Sequence, residues 1–442
     1  MRSLIFIMML ALPLVHFANA ADVEVRPSGT LGDALGSASD GDTIYLYPVI
    51  YHESLIVNKT VNITGPGNAV IDGGIRILAD GVILSGITIC GDGIILGSNG
   101  SRIEGCNVSG CVGSGVVITG SGNSIINSSI TRNSLVGIEI WGSNNTVLWN
   151  RIDANDDCGI VVYGDGNVVE SNALLENAHD GMEIEGSSNL IASNNVSTNR
   201  GAGIELLNMS RGNVIEGNTI YGNGECGIEV IESYENNISG NGLEGNGLGI
   251  KTERATNNLI SSNTVNSNAE SGIIISDESR CNIVHKNNAG NNHGAGVGVE
   301  RSKDNMVIGN IVHNNAVGVD VSRSENNTFR GNYVVMNGVG ISLDMYSINN
   351  MLYHNAMIDN RQSASDSSVY YGKNRWDSGS EGNYYSDHTC QEVCSAYEIP
   401  SGEERKNIDR FPLSSWDERL MDVEFVWPIS GCLPAYAKGL AI

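Results

Sequence analysis

The sequence predicts an all-β fold, a right-handed parallel β-helix (a solenoid) with coils of about 22 residues and three short strands per coil. Two repeating patterns indicate it. Asparagines about five residues apart occur in each period from Asn145 onward, beginning with Asn145, Asn150 and Asn155. Identical amides stacked in register can hydrogen-bond from coil to coil, and only a solenoid stacks them in this way. The second pattern is a glycine followed by an apolar residue, at Gly93, Gly115, Gly137, Gly159, Gly181, Gly203, Gly227, Gly249, Gly272, Gly296, Gly318 and Gly340.

The strands are predicted from short apolar alternations between these markers, for example in residues 137–140, 145–147 and 150–152. Their apolar residues recur at every second position, which is typical of strands. The glycines and asparagines interrupt the chain too often for a helix of ten residues. We expect them at the corners between strands, where a left-handed backbone favours both residue types. Right-handed winding is the default for parallel strands joined by crossovers.

Each end of the stacked coils is expected to carry a cap, because open sheet edges promote aggregation. Residues 31–38 (LGDALGSA) have apolar residues at helical spacing and predict a cap helix within an N-terminal segment of residues 21–43. The coils are predicted over residues 44–376. An aromatic-rich C-terminal cap follows over residues 377–416, and the tail of residues 417–442 has no predicted structure.

The first 20 residues have the features of a secretory signal peptide. Arg2 precedes an apolar run over residues 4–15, and Ala18-Asn19-Ala20 forms a cleavage site before Ala21. No later stretch has the roughly 18 apolar residues that a membrane span needs. The sequence therefore predicts a secreted or cell-surface protein that is cleaved after Ala20 and has no transmembrane segment.

The charge of the chain limits the classes of molecule that it can bind. Lys and Arg number 25 against 50 Asp and Glu, which gives a formal net charge of −25. Binding to nucleic acid requires a basic surface, so nucleic acid is excluded as a partner, whereas an acidic surface attracts divalent cations. Nine cysteines all follow the signal peptide. Cys390 and Cys394 lie in a loop outside the repeat and are predicted to form a disulfide.

Sequence motifs at both ends of the coils point to a family. Residues 40–48 (DGDTIYLYP), 57–65 (VNKTVNITG) and 79–86 (ADGVILSG) resemble the opening coils of NosD-type β-helix proteins, also called CASH domains. Residues 374–377 (NRWD), 382–387 (GNYYSD) and 408–413 (IDRFPL) resemble the closing motif of archaeal cell-surface members. The resemblance covers nearly the whole chain after the signal peptide.

The resemblance implies a β-helix that binds carbohydrate or hydrolyses sugars. Relatives often carry an Asp- and Gly-rich loop able to hold calcium, but residues 389–394 (TCQEVC) stand in that place here. The founding NosD protein is an accessory factor for copper-site assembly. The sequence has no Met, His and Cys cluster at copper-ligand spacing, and its eight histidines are scattered, which makes that role the least favoured.

Candidate site residues follow from stacking the outward positions after each repeated glycine. One outward row contains Glu139, Glu183 and Glu205, and a second contains Trp141, Tyr163 and Glu185. The turns before the glycines add Asp156, Asp157 and Cys158 on one coil, His179 and Asp180 on the next, and Arg200 on the third. Since coils lie about 4.8 Å apart, these residues are predicted to converge on one patch.

Three interpretations of this patch remain open. In the first, Trp141 and Tyr163 stack on sugar rings while carboxylates bind hydroxyls or Ca²⁺, with Asp156, Asp157 and Asp180 as candidate calcium ligands. In the second, the patch is a hydrolase, lyase or epimerase active site whose catalytic residues come from Asp157, His179, Asp180, Glu183 and Arg200. In the third, the polar residues are an ordinary solvated strand face of an acidic protein, and Trp141 and Tyr163 simply stack on each other.

Function is accordingly predicted as binding, with or without processing, of an extracellular polysaccharide or envelope glycan. A non-catalytic structural or adhesive envelope protein is the alternative. The binding hypothesis expects Asp157, His179, Asp180 and Glu183 to surround a concave site, and the structural hypothesis expects a flat acidic face.

Overall fold

A computed structural model describes residues 21–368, 374–390, 394–401 and 406–422. The predicted signal peptide and the last 20 residues of the predicted tail lie outside the described residues. Within this described part, no helix is both long enough and apolar enough to span a membrane.

The chain winds into a right-handed parallel β-solenoid of about 16 turns, as predicted. Three parallel sheets form its walls, and each coil contributes one strand to each sheet. Sheet 1, which contains the strands after the repeated glycines, has 15 strands: Leu55–Val57, Ile75–Ile77, Ile94–Leu96, Val116–Ile118, Ile138–Ile140, Ile160–Val162, Met182–Ile184, Ile204–Leu206, Cys226–Ile231, Leu248–Glu253, Ile273–Ser276, Ala295–Glu300, Val317–Ser322, Val339–Leu343 and Gln362–Asp366.

Sheets 2 and 3 have 16 strands each. The strands of sheet 2 are Asp22–Val25, Thr43–Leu46, Asn62–Thr64, Ile83–Ser85, Arg102–Glu104, Ser124–Ile126, Thr146–Leu148, Val168–Glu170, Leu190–Ala192, Val214–Glu216, Asn237–Ser239, Leu259–Ser261, Ile283–His285, Met306–Ile308, Thr328–Arg330 and Met351–Tyr353. Those of sheet 3 are Ile50–Tyr51, Val70–Ile71, Thr88–Gly91, Asn107–Cys111, Ser129–Thr131, Arg151–Asp153, Ala173–Leu175, Asn195–Ser197, Thr219–Tyr221, Gly242–Glu244, Thr264–Asn266, Asn288–Gly290, Ile311–His313, Tyr333–Val335, Ala356–Ile358 and Tyr384–Tyr385.

The core is a column of aliphatic side chains that runs along the solenoid axis. On the coil of Ile138 and Ile140, both side chains are fully buried, as are Val147 of sheet 2 and Ile152 of sheet 3. The middle residue of the sheet 1 strand, Glu139, points outward and is partly exposed. This alternation is the period-two pattern of the sequence.

Asparagines form three buried hydrogen-bonded ladders along the corners, as the sequence predicts. Asn145 is typical, because its backbone N–H and its side-chain amide both donate to Oδ1 of Asn167, at 2.8 and 3.2 Å. The same amide donates to the carbonyl of Gly120 on the preceding coil, at 3.1 Å. Each ladder thus satisfies backbone groups that the corner would otherwise leave buried and unpaired.

The predicted left-handed corners are present, and glycine or asparagine occupies many of them, for example at Gly166 and Gly212, but the ladder asparagines and most of the repeated glycines are not the left-handed residues. The left-handed residues are those just before the ladder asparagines, such as Asn144 (φ 57°), Trp149 (φ 58°) and Ala154 (φ 53°), and not the ladder residues themselves. Ladder asparagines are selected by the hydrogen bonds of their amides. The repeated glycines are selected by space: a Cβ on Gly203 would lie 2.6 Å from the carbonyl oxygen of Gly227 and 3.0 Å from the amide nitrogen of Asn223.

The N-terminal end is covered by the predicted helix, which spans Leu31–Ser37 and buries Leu31, Ala34 and Leu35. The side chain of Thr30 caps it by accepting a hydrogen bond from the backbone N–H of Asp33. The strand Asp22–Val25 precedes the helix and pairs with Thr43–Leu46. The predicted N-terminal cap segment therefore also supplies a strand of sheet 2.

The C-terminal end is closed by buried aromatic side chains. Trp376 covers the last coil and donates from Nε1 to Asp366, at 2.8 Å. Tyr385 extends sheet 3 and stacks on Tyr397, with ring centroids 3.8 Å apart. An antiparallel pair of strands, Tyr397–Ile399 and Asn407–Asp409, lies outside the coils, and a disulfide joins Cys390 to Cys394.

Beyond this cap the chain turns back along the solenoid. This C-terminal strap, residues 416–422, contains the 3₁₀ helix Glu418–Met421. Trp416 lies against Tyr333, with ring centroids 6.4 Å apart, and Asp422 forms an ion pair with Lys286 at 2.7 Å. The backbone carbonyls of Leu420 and Met421 approach Gly331 and Gly309, where a Cβ would lie 2.4 and 2.6 Å from them.

Candidate functional site

The predicted outward rows on sheet 1 have the expected register. In the first row Glu139, Val161, Glu183 and Glu205 are paired from one coil to the next. The row then continues through Glu229 to Lys251. Lys251 ends the run of carboxylates by binding Glu229 at 2.9 Å and Glu253 at 2.8 Å.

The two aromatic residues of the second row stack on each other. The ring centroids of Trp141 and Tyr163 are 3.9 Å apart and their planes are inclined by 22°. The indole Nε1 donates to Glu139 at 3.2 Å, and the hydroxyl of Ser114 also donates to that carboxylate. Trp141 is nevertheless 52% exposed. Since Tyr163 belongs to the following coil, the other face of the indole is directed towards the preceding coil, which carries the short side chain of Thr119.

Beside this stack, the turns before Gly159 and Gly181 bring a thiol, an imidazole and carboxylates together. Sγ of Cys158 is 3.4 Å from Nδ1 of His179 and 4.0 Å from Oδ2 of Asp180. It is also 3.9 Å from Oε2 of Glu183. Asp157 belongs to the same cluster through its proximity to Cys158 and His179, all of whose ligand atoms lie within 4.8 Å of one another.

The cluster spans two adjacent coils, and local packing determines how far each member is exposed. The Asp180 side chain is only 4% exposed and receives hydrogen bonds from the backbone N–H of Ala202, at 2.6 Å, and from Nδ1 of His179, at 2.9 Å. Gly201 makes room for this carboxylate, since a Cβ there would lie 2.2 Å from Oδ1. The His179 side chain is 62% exposed. Cys158 is buried together with Val136 and Val161, and Tyr163 packs against this small apolar group.

Burial and the charges of neighbouring groups shift the pKa values of these side chains. Burial, followed by the neighbouring carboxylates, raises the pKa of the Cys158 thiol. Burial also raises the pKa of Asp180 and of Glu183, and it raises that of Glu205 to about 7, with Asp180, Glu229 and Glu183 adding to the effect. For His179, burial lowers the pKa, but the charges of Asp180 and Asp157 outweigh burial and raise it overall.

Two predicted members do not join the cluster. Arg200 and Asp156 occupy the same position of the turn, one residue before the position of His179 and Asp157, and both are exposed. Asp156 belongs to neither group of close donors among the described residues. Glu185 follows Tyr163 in the second row and is half-buried.

A groove of about 930 Å³ lies elsewhere on the solenoid, away from the predicted patch. Several of its charged residues pair across neighbouring coils, including Arg254 with Glu232 at 2.8 Å and Arg301 with Asp277 at 2.5 Å. The groove is lined by Met209, Glu232, Arg254, Thr256, Glu278, Arg280, Arg301, Ser302, Lys303, Arg323 and Glu325.

Comparison with known proteins places the chain in a family. The model of the NosD family, described as periplasmic copper-binding protein, matches residues 161–292 and 226–390, together just over half of the 442 residues. The chain belongs to the NosD family. A model of the right-handed β-helix region also matches residues 73–220. No curated protein matches the chain.

Solved structures resemble the solenoid at low identity. A point mutant of the periplasmic alginate epimerase AlgG is 14% identical, with a TM-score of 0.40 over 65% of this chain and 77% of that one. The A-module of the Azotobacter vinelandii mannuronan C-5 epimerase AlgE6 is 14% identical, with a TM-score of 0.36 over 87% and 100% of the two chains. The Dettilon tailspike protein gp208 is 15% identical, with a TM-score of 0.41 over 78% and 62%. These likenesses extend to the β-helical fold alone.

The contact between thiol and imidazole lies within the predicted patch. The sequence places Cys158 and His179 on adjacent coils of that patch, although it has no Met, His and Cys cluster at copper-ligand spacing, and in the structure their side chains meet across one coil. The two residues are 21 positions apart, so a search for closely spaced ligands misses them. The 22-residue register is the signal that placed Cys158 in the patch, in the turn beside Asp157 and one coil from His179. Thiol and imidazole are donors that transition-metal ions use, so the residues present are compatible with the family's description.

Proposed function

We propose that this NosD-family chain binds a polysaccharide outside the cytoplasm, on the outer face of sheet 1. The observation that carries the proposal is the Trp141–Tyr163 stack, because Trp141 remains half-exposed although it packs on its neighbour. Exposed aromatic faces are suited to the apolar faces of sugar rings. A linear polymer lying along the coils would meet the indole of Trp141 and then the carboxylates of Glu183 and Glu205 on the coils that follow.

The free face of Trp141 defines where a sugar ring would bind. Tyr163 supports the indole from one side, and the hydrogen bond from Nε1 to Glu139 restrains its rotation. A sugar on the opposite face would lie over the coil of Thr119. Rigid aromatic side chains of this kind lose little conformational entropy on binding.

Carboxylates beside the stack supply polar partners for such a ligand. Glu139, Glu183 and Glu205 follow one another on consecutive or alternate coils, and Glu185 follows Tyr163. Their oxygens can accept hydrogen bonds from sugar hydroxyls or bind Ca²⁺ between protein and glycan. This face is acidic, so we expect neutral glycans to bind without added cation and uronate-rich glycans to need Ca²⁺.

Exposure separates the residues that can reach a bound sugar from those that cannot. His179 is well exposed and Glu183 is half-buried, so either can contact a ligand on this face. Asp180 is enclosed beneath His179, and we assign it a positioning role towards that imidazole. Any turnover would therefore depend on His179 and Glu183 more directly than on Asp180.

A glycan panel tests the proposal. The full chain is incubated with neutral and uronate-containing polysaccharides, with and without Ca²⁺, while binding, new reducing ends and unsaturated uronates are followed. Trp141→Ala should lower affinity for a bound glycan at least tenfold. The matched control is Trp149→Ala, because Trp149 is 61% exposed on the same coil but lies at another corner.

The outcomes separate the candidate functions. Equal binding by both tryptophan variants contradicts the proposed face. Absence of binding to every glycan favours the structural or adhesive role. Product formation that is lost in Glu183→Gln would add catalysis to binding.

A further inference from the structure

The thiol, imidazole and carboxylates beside the aromatic stack have the spacing of metal ligands. For tetrahedral zinc, Zn–S is about 2.3 Å and Zn–N about 2.0 Å, which requires S and N to be about 3.5 Å apart. Sγ of Cys158 and Nδ1 of His179 are 3.4 Å apart. The distances from Sγ to the oxygens of Asp180 and Glu183, 4.0 and 3.9 Å, are slightly longer than the same geometry requires.

We propose that Cys158, His179, Asp180 and Glu183 form a binding site for a divalent transition-metal ion of the Zn²⁺ type, with Asp157 as an alternative carboxylate ligand. The inference goes beyond the proposed glycan binding and does not depend on it. The site bridges two coils, because Cys158 and Asp157 lie on one coil and the other three ligands lie on the next. A bound ion would join these coils in addition to their hydrogen bonds.

The chemical types of the four ligand side chains indicate which metal ion the site prefers. Ca²⁺ takes oxygen ligands almost exclusively, whereas a thiolate and an imidazole are typical of zinc and its neighbours in the transition series. Cu⁺ also binds thiolate and imidazole but has little use for carboxylates. The carboxylates of Asp180 and Glu183 therefore favour Zn²⁺ over both alternatives. On binding, Zn²⁺ replaces two protons: the thiol proton of Cys158, which is released to solvent, and the Nδ1 proton that His179 donates to Asp180, which exchanges through solvent so that the neutral imidazole binds through Nδ1 and keeps its proton on Nε2.

Electrostatics supports the same conclusion. Asp157 and Asp180 lie beside the imidazole of His179, Glu183 lies 3.9 Å from Sγ of Cys158, and Glu205 lies on the next coil in register with Glu183. Carboxylates held this close repel one another, and a divalent cation between them offsets that repulsion. The cluster is therefore arranged to hold more positive charge than His179 alone supplies.

Metal binding to the reduced, metal-free full chain tests the inference directly. Zn²⁺ is titrated against a chromophoric chelator, and Co²⁺ is used as a spectroscopic probe. We expect one equivalent of Zn²⁺ to bind and Co²⁺ to give a thiolate charge-transfer band with the intense visible bands of a tetrahedral ion. Cys158→Ser and His179→Ala should each weaken Zn²⁺ binding at least 100-fold, and Cys158→Ser should also abolish the charge-transfer band.

The matched control is Cys226→Ser. Cys226 is a buried thiol in the same column as Cys158, three coils further along, and among the described residues it belongs to no group of three donors. We expect unchanged Zn²⁺ affinity in this variant. His179 is largely exposed, so His179→Ala keeps the fold and tests the site even where Cys158→Ser unfolds the chain.

Several results would overturn the inference. These are no Zn²⁺ binding, equal binding in Cys158→Ser and His179→Ala, or an equal loss in Cys226→Ser. Tight Cu⁺ binding that Asp180→Asn and Glu183→Gln leave unchanged would assign a two-donor copper site instead. Displacement of Zn²⁺ by Ca²⁺ at comparable concentration would indicate an oxygen-ligand calcium site. None of these readouts involves a glycan.

Discussion

Asn194 illustrates how much of the fold a single side chain supports. Its amide donates to the carbonyl of Val169 at 2.9 Å and to Oδ1 of Asn218 at 3.0 Å. Its own Oδ1 accepts from the backbone N–H and the side-chain amide of Asn172, at 2.9 and 3.1 Å. The residue is buried, so no water is available to replace these partners.

We therefore expect Asn194→Ala to lower the free energy of unfolding by about 2–4 kcal/mol, because it leaves buried backbone groups unpaired. Asn195→Ala is the matched control: the neighbouring residue is exposed and should change stability by less than about 0.5 kcal/mol. Urea unfolding followed by far-UV circular dichroism gives both values. Equal effects of the two substitutions would show that the ladder contributes little.

Glycine substitutions test whether the repeated glycines are selected because no space is left for a Cβ. In Gly203→Ala the new methyl group would lie 2.6 Å from both the Gly227 carbonyl oxygen and a methyl of Ile220. We expect a loss of about 1–3 kcal/mol, which is typical of overpacking. Gly242→Ala meets nothing within 4 Å and should be neutral or slightly stabilising. Thermal melting of the two variants compares them, and similar melting temperatures would contradict the spatial explanation.

At the scale of the residue, the sequence predicted which positions repeat. It predicted only part of the physical reason for each residue type at those positions. Stacked amides follow from the register of Asn145 and Asn167 alone. The left-handed backbone at Trp149 and Ala154 did not follow, because the residues at these positions differ from coil to coil and are not those that normally mark positive φ. The positive φ at these positions is imposed by the hydrogen bonds of the neighbouring ladder amides and by packing, and not by the type of residue that adopts it.

At the scale of the element, the C-terminal cap depends on a pair of charges that titrates. Asp377 is buried, and Arg410 donates to it from Nε at 2.9 Å and from a terminal nitrogen at 2.5 Å. The hydrogen bonds from Arg410 lower the pKa of Asp377 below its ordinary value of 3.8. Its contribution to stability is thus fully present above about pH 4 and is lost as the pH falls through the lowered pKa.

We expect Asp377→Asn to melt at a lower temperature than the unmodified chain at pH 7, by the equivalent of about 1 kcal/mol or less because Arg410 is solvent-exposed. The difference should shrink as the pH falls from about 4 to about 2, through the lowered pKa of Asp377. Melting curves across that range check it, and Arg410→Gln should reproduce the behaviour. A difference that grows on acidification would contradict the assignment.

The elements that form the candidate site were predictable to different degrees. The outward rows of sheet 1 follow from the period, so Glu139, Trp141 and Tyr163 were placed correctly beside one another. The contact between Cys158 and His179 depends on side-chain orientation in two turns, which periodicity does not determine. For the same reason, the burial of Asp180 and the exposure of Arg200 could only be found in the structure.

At the scale of the whole molecule, about 16 coils spaced by about 4.8 Å give a stack roughly 75 Å long. Its three sheets are open at both ends, and the caps are what prevents further strands from adding there. Truncation after residue 368 removes Trp376 and Tyr385 and leaves the strands Met351–Tyr353, Ala356–Ile358 and Gln362–Asp366 uncovered. We expect the truncated chain to self-associate, as measured by light scattering. A monomeric truncated chain would show that the cap is not needed for solubility.

The strap contacts three successive coils, those of Lys286, Gly309 and Gly331. A solenoid can gain or lose whole coils by duplication or deletion, because each added coil presents the same surfaces to its neighbours. The strap removes that freedom locally: one extra coil between Gly309 and Gly331 would displace one contact by about 4.8 Å relative to the other. Variation in the length of related chains that share this strap should therefore be confined to the coils before Asn282, while the last coils and the cap are inherited as one unit of constant size.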